Sequence, residues 1–168
     1  MSTIKTNAIT TVAGKPILNS TGSILQVVQT VKSDTFSNST KGSYVAVTGL
    51  SATITPTSTT SKILVMSEVT WDSQNNYPVF LHIYRGGAQI TPNGNATGYT
   101  PSSAYNSFQQ PADSRAWLDQ QTLIYLDSPA STSALTYQIY AAKPSVAANN
   151  IIINTFGSSN ITLMEVSA

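Results

Sequence analysis

The stretch of this 168-residue chain best equipped to recognise another molecule is TPNGNATGYTPSSAYNSFQQPADS, residues 91–114. Tyr99, Tyr105 and Phe108 stand there among Asn93, Asn95, Asn106, Gln109 and Gln110, with Asn75, Asn76 and Tyr77 a short way upstream. Aromatic rings stack on the apolar faces of sugars and side-chain amides hydrogen-bond hydroxyls, so the mixture suits a glycan. The same rings would serve to cap a barrel or to pack between subunits, and both readings stand at this point. The length of the stretch, with its Pro and Gly, predicts a loop of the kind that is functional or disordered in compact domains.

Catalytic chemistry finds less support. His82 is the sole histidine, on a strand face with Phe80 and Tyr84, and no second histidine exists to complete a zinc site. It is expected to be a packed or interface residue; if its strand faced a threefold axis, three copies would make assembly sensitive to pH. The acids are Asp34, Glu68, Asp72, Asp113, Asp119, Asp127 and Glu165. Two carboxylates flanking a sugar could hydrolyse a glycan, a reading kept third behind two structural roles. No Gly-x-Ser-x-Gly elbow, phosphate loop or Asp-x-Asp calcium loop occurs, and there is no cysteine. The expectation is a non-enzymatic chain with no catalytic residues, cofactor or metal.

Composition narrows the partners. Charged residues are 9% of the chain and the formal net charge is +1, so no long-range field draws it to nucleic acid or to an anionic membrane. Its polarity comes from 23 serines, 23 threonines and 12 asparagines, residues that suit strands and turns rather than helix interiors. No apolar run reaches a membrane-spanning length, and Met1-Ser-Thr-Ile-Lys-Thr-Asn lacks the apolar core of a secretory signal. A surface-exposed protein without disulfides needs stability from elsewhere, and oligomerisation is the obvious source.

The elements that must position these groups are strands. Residues 1–23 read as an extended N-terminal arm, with Ile4, Ala8 or Ile9, Val12, Ile17 and Leu18 as apolar anchors interrupted by Gly14, Pro16 and Gly22. Such a segment cannot bury enough to order itself and is expected to order against a partner. Residues 24–168 then show strands at Ile24–Val31, Tyr44–Val47, Ser51–Thr55, Lys62–Trp71, Val79–Arg85, Ala88–Ile90, Ala116–Leu126, Leu135–Ala141, Ile151–Asn154 and Ile161–Val166. Period two places Ile63, Val65, Val69 and Trp71 on one face, and Gly86-Gly87 reads as a tight hairpin turn. Many short strands without a convincing helix predict an all-β sandwich or barrel.

The sequence of segments Lys62-Ile-Leu-Val, Arg85-Gly-Gly, Asp127-Ser-Pro, Leu135-Thr-Tyr and Ile161-Thr-Leu-Met-Glu-Val resembles small tail-fibre-type virion proteins of marine and cyanobacterial phages. The opening Met1 to Ile9 and the Gly-Lys-Pro-Ile-Leu run from Gly14 to Leu18 resemble the N-termini of the same group. Those proteins are similar in turn to trimeric jelly rolls of the complement and tumour-necrosis-factor type. The resemblance implies an all-β jelly-roll sandwich behind the arm, a homotrimer, other virion proteins as partners, and a place on the virion surface. A tail-fibre knob that touches a host glycan and a capsid decoration protein bound to the head lattice are the two roles it leaves open. The absence of an internal shaft repeat favours a short knob over a long fibre.

Overall fold

A computed structural model describes residues 21–73, 79–91, 117–143, 145 and 150–168. Among these residues there are ten strands and no helix: β1 (Ile24–Lys32), β2 (Phe36–Asn38), β3 (Val45–Ile54), β4 (Lys62–Ser73), β5 (Phe80–Arg85), β6 (Ala88–Gln89), β7 (Trp117–Asp127), β8 (Leu135–Ala142), β9 (Ile151–Ile153) and β10 (Ser159–Val166). The chain is all-β, and the strands form two antiparallel sheets. In the larger sheet β4 is central: β7 pairs along one edge over its length, while β10 and then β9 share the other, continued outward by β1 and β2. The smaller sheet has the order β3-β8-β5-β6.

The pairings nest. β5 pairs with β6, β4 with β7, β3 with β8 and β1 with β10, as happens when one long hairpin is wrapped around itself. That wrapping is the jelly roll, and it carries successive strands alternately to the two sheets from β2 to β5 and again from β6 to β9.

Alternation along each strand builds the core between the sheets. Ile63, Val65, Val69 and Trp71 are buried as their spacing predicts, joined by Ile161 and Leu163 from β10. Leu81, Ile83, Tyr137 and Ile139 meet them from the smaller sheet. Each such side chain contributes about 1.5–3 kcal/mol through burial.

Two departures from the sequence reading have local causes. The two strands expected at Tyr44–Val47 and Ser51–Thr55 are one, β3 (Val45–Ile54), whose register against β8 slips between Ala46 and Ser51. Gly49, at φ +82°, makes the slip possible, and a Cβ there would stand 3.5 Å from the Lys32 ammonium. β2 was not anticipated, because three residues are too few to show a period. The Gly86-Gly87 turn is as expected, with both residues at positive φ.

The arm anchors Ile4, Ile9, Val12, Ile17 and Leu18 lie outside the described residues, as do Asn93, Asn95, Tyr99, Tyr105, Asn106 and Phe108. The described chain begins beside the end of β10: the Gly22 amide donates to the Ser167 carbonyl (2.8 Å) and the Ser167 amide to that of Ser23 (2.9 Å).

Candidate functional site

The outward side of the larger sheet does not have the polar character that the outside of a sandwich usually has. Register places side chains in rows across it. Val27 (β1), Met164 (β10), Leu64 (β4) and Leu126 (β7) are direct cross-strand neighbours, and so form one apolar row. The adjoining row is Gln29, Thr162, Met66 and Ile124, and the next is Val31, Asn160, Glu68 and Thr122. Val27, Val31, Ile124 and Leu126 are 48–63% exposed. An open groove of about 510 Å³ runs across this face, lined by Val27, Gln29, Met66, Thr162 and Met164 among others.

These residues escape a search for motifs, yet the sequence does hold a signal. Lys62-Ile-Leu-Val-Met and Thr122-Leu-Ile-Tyr-Leu are apolar at both parities of the strand, as strands covered on both sides are. A half-exposed strand would alternate. The face is joined to an open edge, because among the described pairings β7 bonds only to β4. Unpaired edges next to apolar surface invite association.

The outward side of the smaller sheet is different in kind. Its rows are Ala46–Tyr140–His82 and Ser51–Gln138–Tyr84–Gln89. The Tyr84 and Tyr140 rings stack with centroids 3.8 Å apart, and Tyr44 stands edge-on to His82 at 4.8 Å. His82 is fully buried; its Nδ1 shares a 2.8 Å hydrogen bond with the Thr91 hydroxyl, and burial pushes the ring down to about 4. It is thus a packed histidine within one chain.

The carboxylates serve mainly structural links. Asp127 ion-pairs with Arg85 and accepts the Tyr137 hydroxyl (2.7 Å), bridging the two sheets. Glu165 is buried; burial alone would raise its carboxyl, but bonds from Gln26, Ser61 and Thr57 outweigh that and push it down to about 2. Asp34 pairs with Lys32 at 2.6 Å. Asp72 is buried beside Thr155, and burial raises its carboxyl. Glu68 lies on the apolar face of the larger sheet. Among the described residues no three His, Cys, Asp or Glu side chains cluster as a metal site would need, and no helix is long and apolar enough to cross a membrane.

No family model and no curated protein matches the chain. Among solved structures it is similar to one described as the structure of infectious bursal disease virus Gt strain, at 14% identity and a TM-score of 0.40, covering 89% of this chain and 39% of that one. It is also similar to the crystal structure of the infectious bursal disease virus VP2 subviral particle, at 16% identity and a TM-score of 0.36, covering 85% and 37%. The chain thus spans well under half the length of either. The jelly roll assigned here rests on the strand pairings themselves.

Proposed function

We propose that this chain is a non-enzymatic virion surface protein, a homotrimeric knob or short tail fibre of a bacteriophage, attached to other virion proteins through its N-terminal arm. The observation that carries the reading is the apolar face Val27–Met164–Leu64–Leu126 beside a β7 edge that no other strand among the described residues pairs. Contiguous exposed apolar surface on a soluble protein marks an interaction site. Further copies of this chain suit it, since Glu68 is the one charged residue in the three rows above and stands at their edge, beside the apolar ones. Three copies about a threefold axis turn these faces towards one another, each chain setting one flank of its face against the other flank of the next, and such a ring closes on itself. The absence of cysteine leaves such burial, not disulfides, to hold the assembly together outside a cell. The resemblance of the arm and strand segments to small phage tail-fibre proteins supports the particle and the threefold symmetry.

The test is the mass of the purified full-length chain by light scattering, with Leu126→Lys beside it. A trimer is expected, falling to monomer in the variant, because a charge moved into an apolar interface costs several kcal/mol per subunit. A chain that stays monomeric as its concentration is raised would overturn the trimer. Copies per particle separate the two attachments: a few tens or fewer fit a tail knob, and hundreds would mean decoration of the head.

A further inference from the structure

The proposed trimer accounts for one side of the sandwich and leaves the other without a role. On the smaller sheet the described outward rows contain rings, amides and hydroxyls but no charged side chain: Ser51, Gln138, Tyr84 and Gln89 in one, Ala46, Tyr140 and His82 in the other. Thr53 and Thr136 extend the surface, their hydroxyls 2.8 Å apart. The larger sheet presents a wholly apolar row (Val27, Met164, Leu64, Leu126) with Met66, Ile124 and Val31 in the rows beside it, so the two outward faces are built for different partners.

Tyr84 and Tyr140 are only partly buried. Stacked at 3.8 Å with an interplanar angle of 18°, the two tyrosines on the outside of the sheet each cover one face of the other, so the pair is held rigid and loses little entropy when something settles against its outer faces. Beneath it, the 0% exposed His82 ring fixes Tyr44, whose centroid lies 6.3 Å from that of Tyr84. Gln138 anchors its own amide by donating to the Val47 carbonyl (3.3 Å), which holds its head group in place between the rings and the hydroxyl row.

We infer that this face, centred on Tyr84, Tyr140 and Gln138, is a binding platform for a neutral, extended oligosaccharide. The chemistry matches term by term. Sugar C–H faces lie on aromatic faces, and amides and hydroxyls both donate to and accept from sugar hydroxyls. The lack of charge argues against sulfated, phosphorylated or sialylated chains, which are held by Arg and Lys. An open sheet face also fits an extended chain better than a compact terminal sugar, because it offers contacts spaced about 4.8 Å across strands rather than an enclosing pocket. On a trimer joined through its larger sheets, three such platforms would point outward. The assignment needs only the single chain, so it can fail while the trimer stands, and the reverse.

Saturation-transfer NMR on the full chain tests it with cellohexaose, laminarihexaose and mannohexaose, and with sialyllactose and a heparin hexasaccharide as charged probes. Transfer from protein to the ring C–H protons of at least one neutral hexasaccharide is expected. Tyr84→Ser and Tyr140→Ser should weaken it by about tenfold each, the contribution of one stacked ring. Tyr84→Phe should stay within about twofold, since it keeps the ring, and it guards against loss of folding in the serine variants. No transfer to any neutral probe would overturn the proposal. So would binding that survives both serine variants, or tighter binding to heparin or sialyllactose than to every neutral probe.

Discussion

Arg85, at the end of β5 in the smaller sheet, forms an ion pair with Asp127, the last residue of β7 in the larger one. The Asp127 carboxylate also accepts the hydroxyl of buried Tyr137 in β8. One acid thus holds three strands from both sheets at the same end of the sandwich, where the jelly-roll wrapping brings them together.

Asp127→Ala should therefore destabilise the fold by about 2–4 kcal/mol, since it leaves a partly buried guanidinium and a buried phenol without their acceptor. Urea unfolding is the measurement. Replacing the trio together, as Asp127→Leu, Arg85→Met and Tyr137→Phe, should recover most of that loss, because apolar groups of similar size leave no polar atom stranded. A triple variant no more stable than Asp127→Ala would show that packing, not the stranded charge, sets the cost.

Acid should weaken the protein in two steps. The folded His82 ring sits at about 4 against an ordinary 6.5, so the unfolded chain takes up its proton first. Stability is full above pH 6.5 and falls as pH drops towards 4, by up to roughly 3 kcal/mol. Glu165 is held at about 2 against an ordinary 4.5; its contribution is present above that ordinary value and is lost as pH falls through 2, by up to roughly 3 kcal/mol. The midpoint of urea unfolding against pH should show both windows. His82→Phe should flatten the upper one and Glu165→Gln the lower one, each leaving the other in place.

Ala130 lies at φ +50° in the exposed turn after Pro129, a conformation that costs an L residue about 1 kcal/mol. Ala130→Gly is expected to raise the melting temperature by about 1 °C, most of the relief being offset by the freer unfolded chain. Asn154 also has positive φ, at +62°, but its side-chain amide donates to the carbonyls of Lys32 and Asp34 and its oxygen accepts the Ser159 hydroxyl. Asn154→Gly should accordingly destabilise, and a gain there would mean that backbone strain outweighs the hydrogen bonds.

Much of the fold was legible along the chain. Period two named the buried side of β4 (Ile63, Val65, Val69, Trp71), and Gly86-Gly87 marked the turn between β5 and β6, because these signals depend only on neighbours within a few residues. β2 and the Gly49 bulge were not legible. The first is too short to show a pattern, and the second is a matter of pairing with β8, a partner some ninety residues away.

The candidate sites divide in the same way. By itself the sequence determined an all-β chain, poor in charge, with most strands and their inward faces. The tertiary structure alone decided that Val27, Met164, Leu64 and Leu126 form one row, and that Tyr84 and Tyr140 stack. Each set comes from strands far apart in sequence, and register, fixed by burying the core on one face, sets which outward side chains become neighbours. It also decided that His82 is packed and neutral within a single chain, since burial is a property of what surrounds a residue and cannot be read from the residue itself.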